Sequence, residues 1–239
     1  MPNPIVELVK EEMQWFTEIQ AEYPDLFPPN NIAPSLYPFP FFGDIRSADV
    51  LTVALNPAWK EFAPTRGWHS NLDARALTTR ALHYFDLPEP SPHPFFAKLL
   101  PACLQLGRSY RRGVAHIDIL SLPTQFPGGM NDMQRQQLNL VVDLAAARLQ
   151  RVLNLCCTVK VIFILDHNVH DGNGAHWTVW EKAVQHVPLF RNHAGNDGQV
   201  LPILRLNGPD GLASEIANRR DEIRDYLANG PRVIHANYG

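Results

Sequence analysis

Four short runs of β-branched and other apolar residues, separated by segments with helical periodicity, constrain the fold of this chain more than any other feature. They are VLTVAL (50–55), GVAHIDILSL (113–122), VKVIFIL (159–165) and QVLPILRL (199–206). Runs that are apolar on both faces are typical of parallel strands, because helices cover both sides of a parallel sheet. The sequence therefore predicts the α/β class: a single-domain, three-layer α/β/α fold with a central, mostly parallel four-stranded sheet.

The N-terminal region differs from the rest of the chain in its pattern. Residues 4–24 carry apolar side chains at helical spacing, which predicts an amphipathic helix that ends before Pro24. The following stretch, up to residue 44, interleaves prolines with aromatic residues and predicts an ordered, extended loop. Because no internal repeat or low-complexity linker divides the chain, we expect one domain over residues 1–239, with residues 1–42 packed on it.

Composition narrows the class of protein. The 239 residues are 45% hydrophobic and 19% charged, and no apolar run approaches the roughly 20 residues of a membrane helix. The N-terminus lacks a signal-peptide pattern and the three cysteines form no disulfide framework, so we expect a cytoplasmic protein without a membrane partner, and a monomer. The net charge of −3 argues against a protein that coats nucleic acid, although arginines cluster at Arg108, Arg111 and Arg112.

Polar residues follow or end each of the four predicted strands. They are Asn56-Pro57, His116 and Asp118, Asp166-His167-Asn168, and Asn207-Gly208-Pro209. In sheets of this class the ligand lies beyond the carboxyl ends of the strands. These exits are therefore where the sequence predicts a functional site.

Three motifs, in this order, resemble those of the uracil-DNA glycosylase superfamily. ALNPAWKEF (54–62) is similar to the first motif, in which a strand leads into Gly-x-Asn-Pro or Gly-x-Asp-Pro. RRGVAHIDILSL (111–122) is similar to the strand that carries the base-recognising residue, and LPILRLNGPDGLA (201–213) is similar to the last motif. The likeness implies a DNA glycosylase of base-excision repair, which hydrolyses the N-glycosidic bond of a flipped, deaminated base such as uracil.

The resemblance also implies a partner and a role for each residue of the first motif. The partner is DNA, single- or double-stranded, that contains a damaged base, and the reaction uses no metal and no cofactor. Asn56 would hold the attacking water, and backbone groups around Leu55 would help to bind the departing base. Trp68 lies about where the stacking phenylalanine of the superfamily falls, and Phe62 is the second candidate for stacking.

The last motif would complete the site. Asn207 stands where many members of the superfamily have histidine and some have asparagine. It would donate a hydrogen bond to the base carbonyl as negative charge develops there. The loop that would enter the minor groove contains Gly208, Pro209, Gly211 and Leu212, of which Leu212 is nearest to the usual wedge leucine.

The chain departs from the superfamily pattern at two positions. Ala54 replaces a glycine, and Asp118 stands where an asparagine that reads the base is expected. A carboxylate only accepts hydrogen bonds, so an ionised Asp118 suits a base that shows two donors better than it suits uracil O4. His116 precedes Asp118 by two residues and shares its strand face, so we expect the two side chains to pair.

Two other hypotheses fit the same residues. A metal-dependent hydrolase would use His116, Asp118 and His167, because imidazole and carboxylate groups are common ligands of divalent metals. A nucleic-acid or nucleotide-binding protein of the same fold, without glycosylase activity, is the other hypothesis. The acidic balance of the chain and the carboxylate of Asp118 favour this second alternative.

Overall fold

The structure of the protein is a computed structural model, and its described part includes most of the predicted sheet. The described residues are 3–24, 36–54, 57, 61, 72–86, 93–123, 148–166, 203–207, 213–214 and 216–229, of which 164–166 and 203–207 are described at the backbone. The helices are α1 (Pro4–Glu22), α2 (Ala74–Leu82), α3 (Pro94–Gln105), α4 (residues 148–155) and α5 (Arg220–Asn229). The strands are β1 (Val50–Ala54), β2 (Val114–Asp118), β3 (Val161–Asp166) and β4 (Ile203–Asn207).

The helices α1 and α2 begin after residues whose side chains satisfy one of the first backbone N–H groups. The side chain of Asn3 accepts a hydrogen bond from Ile5 N at 3.0 Å, and Pro4 occupies the first turn of α1, where no N–H is needed. Asp73 accepts from Ala76 N at 2.7 Å at the start of α2. The helix that the sequence predicts over residues 4–24 is therefore present as α1 and ends at Glu22.

The strands form a parallel sheet in the order β2-β1-β3-β4. In the register, Val50 of β1 lies beside Val114 of β2 and Val161 of β3, and Asp166 of β3 lies beside Asn207 of β4. The predicted α/β class with a parallel sheet is confirmed. Among the described residues, two boundaries differ most from the prediction: β2 ends at Asp118, although the apolar run continues to Leu122, and β3 begins at Val161 rather than at Val159. The residues after Asp118 are apolar because they are buried in the following loop, not because they belong to the strand.

The extended loop after α1 covers the edge of the sheet. Phe42 N donates to His116 O at 2.7 Å, His116 N donates to Phe42 O at 2.9 Å, and Phe39 N donates to Ser121 O at 2.9 Å. These bonds run antiparallel to β2 and occupy backbone groups that an exposed edge strand would present to solvent. The described part of the proline- and aromatic-rich segment is therefore ordered and extended, as predicted.

The core includes side chains from α1 and from both faces of the sheet. Leu8 and Val9 of α1 are buried in the same cluster as Val53 of β1 and Ile162 of β3. The described part of residues 1–42 thus packs on the sheet, while the extent of the domain over the whole chain stays a prediction. None of the described helices is both long and apolar enough to cross a membrane.

Two of the three clustered arginines, Arg108 and Arg111, have structural partners. Arg108 binds Asp49 through two parallel hydrogen bonds, Nε to Oδ1 at 2.9 Å and Nη2 to Oδ2 at 2.7 Å. Arg111 Nε donates to the carbonyl of Phe85 at 2.9 Å. Both side chains therefore hold the loop before β2 in place, and neither needs a nucleic-acid partner to explain its position.

Candidate functional site

The strand order indicates where in the sheet a ligand site is expected. The chain passes from β1 to β2 on one side, and then crosses to β3 on the other side of β1. In a doubly wound sheet the ligand crevice lies at the carboxyl ends of the two strands between which the winding reverses, here β1 and β3. Asn56 follows β1 by two residues in the sequence, and β1 pairs directly with β2, which ends in Asp118. The expected crevice is thus bordered by the exits of β1 and β3, and Asp118 lies one strand away from it, at the end of β2.

His116 and Asp118 form a buried pair at the end of β2. The two residues are separated by one position and share a strand face, as the sequence predicts. His116 Nε2 lies 3.4 Å from Asp118 Oδ1, and the two side chains are 2% and 3% exposed. A polar group this far from solvent needs a polar partner, and each of the two side chains supplies one for the other.

The other nitrogen of His116 is held by a hydroxyl relay. Its Nδ1 lies 2.8 Å from Thr52 Oγ1, and Thr52 Oγ1 lies 3.1 Å from Tyr110 Oη and 3.3 Å from the carbonyl of Ala115. Burial raises the pKa of Tyr110 well above its ordinary value, and the nearby Cys103 and Asp118 raise it further. The phenol therefore keeps its proton, and either hydroxyl can donate in the contact between Tyr110 and Thr52. The relay of hydrogen bonds runs from Tyr110 through Thr52 to His116, whose Nε2 lies 3.4 Å from Asp118 Oδ1.

Three phenylalanine rings enclose the imidazole of His116. The ring centroids of Phe42, Phe95 and Phe96 lie 5.7 Å, 5.4 Å and 5.1 Å from that of His116. Close packing on several sides leaves the ring little room to rotate. The orientation of His116, and with it the side of the ring that faces Asp118, is fixed by α3 and by the loop before β1.

Removal of the Thr52 hydroxyl tests the relay. We expect Thr52→Val to lower the free energy of unfolding by about 1–3 kcal/mol, because His116 Nδ1 and Tyr110 Oη would lose a buried partner. Denaturant unfolding measures the change, and Thr79→Val, at an exposed position of α2, is the matched control. Equal stabilities of the two variants would contradict the relay.

A small cleft lies beside Asp118. Its cavity volume is about 10 Å³, room for about one water molecule. Its lining consists of Glu12, Trp15, Pro40, Asp118, Ile119, Ser121, Arg148, Leu149 and Val152. As the described residues line it, a cleft of this size takes a water molecule rather than an organic ligand.

The polar wall of the cleft was missed by the sequence analysis. Ser121 Oγ donates to Glu12 Oε2 at 2.6 Å, Arg148 Nε lies 3.1 Å from Glu12 Oε1, and the Arg148 guanidinium lies 4.3 Å over the Trp15 ring. Trp15 Nε1 is a buried donor that has no hydrogen-bond partner among the described residues. One signal was available: Glu12 lies four residues from both Leu8 and Phe16, on the apolar stripe of α1, where a charged residue is unusual.

The pH dependence of stability tests whether Glu12 is buried in the polar wall of the cleft. Burial raises the pKa of Glu12, more than the hydrogen bond from Ser121 and the charge of Arg148 lower it. The folded state therefore favours the protonated form of Glu12. The stability that this preference contributes is present below the pKa of Glu12 in the unfolded chain, and it is lost as the pH rises through the pKa of Glu12 in the folded protein. We expect Glu12→Gln to gain stability relative to the wild type as the pH rises from about 4 to about 8.

The neighbouring Glu11 is the matched control, with the opposite sign. The hydrogen bond from Arg151 lowers the pKa of the exposed Glu11. The stability that ionised Glu11 contributes is therefore present above its pKa in the unfolded chain and is lost as the pH falls through its pKa in the folded protein. Glu11→Gln should therefore lose stability relative to the wild type over the same rise in pH. Urea unfolding at several pH values measures both differences, and a Glu12 difference that did not change with pH would refute the assignment.

Asp118 and Asn207 end the two edge strands of the sheet. Asp118 is the register partner of Ala54, and Asn207 is the register partner of Asp166. Because β1 and β3 lie between them, three strand spacings, about 14 Å, separate the two ends. A ligand that contacts both residues would have to bridge the crevice from one side to the other.

Most of the other predicted site residues lie outside the described part of the chain. Asn207 is described at the backbone, as the last residue of β4. The predicted residues that lie outside the described ranges are Leu55, Asn56, Phe62, Trp68, His167, Gly208, Pro209, Gly211 and Leu212. Their roles stay predictions. The structure brings His116 and Asp118 together, and it adds Thr52, Tyr110 and the cleft to the predicted set.

The geometry of His116 bears on the metal hypothesis. Within the described ranges, no group of three or more His, Cys, Asp or Glu residues could hold a metal ion. Both nitrogens of His116 already face protein groups, Thr52 on one side and Asp118 on the other. A metal ligand needs a nitrogen lone pair that points at the ion. His116 would have to leave its relay to serve as one.

Comparison with known proteins adds no relative. No family model matches the chain, and no curated protein matches it. The functional assignment therefore depends on the residues at the strand exits and on the order of the strands.

Proposed function

We propose that the protein is a DNA glycosylase that hydrolyses the N-glycosidic bond of a base flipped out of DNA. The observation that carries this proposal is the strand order β2-β1-β3-β4, which puts the exit of β1 at the expected ligand crevice, beside the buried Asp118 of β2. The motif that resembles a glycosylase water-binding site follows β1 directly. This chemistry requires two things of the protein: a side chain that hydrogen-bonds to the polar edge of the base, and a group that positions the attacking water.

The proposed reaction uses the residues of the chain in separate roles. Water held by Asn56 forms a bond to the anomeric carbon as the bond from that carbon to the base nitrogen breaks, and the bonding electrons leave with the base. Asn207 donates to the departing base, and Asp118 binds its polar edge. The water gives up one proton, which neutralises the base. An amide suffices for Asn56, because an oxocarbenium-like transition state needs a positioned water more than a strong base.

The proposal includes the details of the fold: residues 1–239 form one three-layer α/β/α domain like that of uracil-DNA glycosylases. The protein acts as a cytoplasmic monomer on single- or double-stranded DNA. The parallel sheet with helical segments between its strands supports this fold.

Base release from synthetic DNA tests the proposed function. The purified protein is incubated with single- and double-stranded oligonucleotides, each with one uracil, hypoxanthine, xanthine or 8-oxoguanine, and alkali-labile sites are counted. We expect strand cleavage after alkali at the position of at least one of these bases. A folded protein that released none of them, but still bound the oligonucleotides, would instead select the binding protein without glycosylase activity.

A further inference from the structure

We propose that Glu12 of α1 is a positioning residue, which through Ser121 holds the loop after β2 (residues 119–122) against the end of β1. The place at which the first motif leaves the sheet is thereby set by a helix that lies far away in the sequence. This inference rests on the proposed function only for its effect on base release, because the hold on the loop can be measured without any substrate.

Glu12 is an unusual residue for the buried face of α1. Its side chain is 2% exposed, and it lies on the same stripe of the helix as Leu8 and Phe16. A buried, paired carboxyl group often stabilises a protein no more than an apolar side chain of similar volume. In some proteins such groups instead specify one arrangement of the elements that they connect. The contacts of Glu12 favour a role of this second kind.

The two carboxyl oxygens of Glu12 contact different elements. Oε1 lies 3.1 Å from Arg148 Nε of α4, and Oε2 accepts a hydrogen bond from Ser121 Oγ at 2.6 Å. The guanidinium of Arg148 is itself placed over the Trp15 ring, 4.3 Å from its centroid. Because Arg148 contacts one oxygen, the carboxyl group is oriented so that the other oxygen faces the loop after β2.

Ser121 is held through both its side chain and its main chain. Its hydroxyl donates to Glu12, and its carbonyl accepts from Phe39 N at 2.9 Å. Leu120 and Leu122, on either side of it, are 0% and 1% exposed, so the loop is packed into the core around Ser121. Ser121 is therefore fixed between α1 and the extended segment that precedes β1.

The same loop is bonded to the end of β1. Ile119 N donates to the carbonyl of Ala54 at 2.9 Å. Ala54 is the last residue of β1 and precedes Asn56 by two positions in the sequence. The bond from Ile119 and the bond from Ser121 are only two residues apart in the loop. A movement of Ser121 away from Glu12 therefore favours opening of the bond to Ala54.

Hydrogen exchange at the amide of Ile119, followed by NMR on the intact protein, tests the hold on the loop. Glu12→Leu removes both carboxyl contacts, so we expect the Ile119 amide to exchange about tenfold or more faster, relative to the amides of β1. Glu12→Gln should keep the exchange of the wild type, because its amide oxygen can face Arg148 while its NH₂ group donates to Ser121. Glu11→Leu, at the exposed neighbouring position of α1, should also keep it.

Ser121→Ala tests the same contact from its other side, and it serves if Glu12→Leu does not fold. It should accelerate exchange at Ile119 as Glu12→Leu does. The double variant should exchange no faster than either single variant, because both changes remove the same contact with the loop. Exchange at Ile119 that is unchanged in Glu12→Leu or in Ser121→Ala overturns the inference, whatever base is released.

Base release distinguishes this inference from the proposed function. Single-turnover release that is about tenfold or more slower in Glu12→Leu, with the rate restored in Glu12→Gln, supports both. Faster exchange at Ile119 with an unchanged rate of release overturns the positioning role and leaves the glycosylase standing. No release of any base by the wild type overturns the glycosylase, and exchange at Ile119 then decides the inference alone.

Discussion

Replacement of Asn56 with alanine is expected to abolish most base release while the protein stays folded. Asn56 follows β1 by two residues in the sequence, and in the proposed reaction it holds the water that attacks the anomeric carbon. A water that is no longer positioned loses the advantage of proximity, which is worth on the order of a hundredfold or more in rate. Single-turnover release from the best oligonucleotide substrate measures the loss.

The control for Asn56→Ala is the same change at a position far from the crevice. Asn154 is exposed on α4, so Asn154→Ala should release the base at the rate of the wild type. Thermal unfolding of both variants shows whether the fold is intact. Full activity of Asn56→Ala would remove the proposed mechanism, because no other residue of the first motif is assigned to the water.

Replacement of Phe96 with alanine is expected to cause the largest loss of stability. Phe96 is 5% exposed, and its ring centroid lies 5.2 Å from that of Tyr110, 5.4 Å from that of Phe42 and 5.1 Å from that of His116. Removal of a buried phenylalanine ring costs about 3–5 kcal/mol, from lost burial and from the cavity that remains. In a chain of this size the expected fall in Tm is roughly 6–20 °C.

The control for Phe96→Ala lies on the same helix. Leu104 of α3 is 57% exposed, so Leu104→Ala should change the free energy of unfolding by no more than about 0.5 kcal/mol. Denaturant unfolding of the two variants is the measurement. A loss for Phe96→Ala that was no larger than the loss for Leu104→Ala would mean that the rings around His116 do not form a packed cluster.

Part of the candidate site follows from sequence spacing alone. Residues two apart on a strand share a face, and this spacing predicted that His116 and Asp118 would pair. The partners on the other side of the ring were not predictable. Thr52 lies 64 residues before His116 in the chain and reaches it only because β1 and β2 are neighbours in a particular register. Nothing in the local pattern of either strand specifies that register.

The cleft shows the same division between sequence and tertiary structure. The position of Glu12 on the apolar stripe of α1 follows from helical period, so its burial could have been predicted. Its partners, Ser121 and Arg148, come from the loop after β2 and from α4. They meet Glu12 because α1 packs near the end of β2, which is a long-range contact that periodicity does not encode.

By itself, the sequence determined the class of the fold, the place of the strands along the chain and the polar residues at their exits. Apolar period and strand length carry this information locally, because they reflect which faces of an element are buried. Tertiary structure alone decided that β1 lies between β2 and β3, where β2 ends, and which groups surround His116 and Asp118. Strand order and buried polar contacts depend on packing between distant segments, and local pattern does not specify which segments meet.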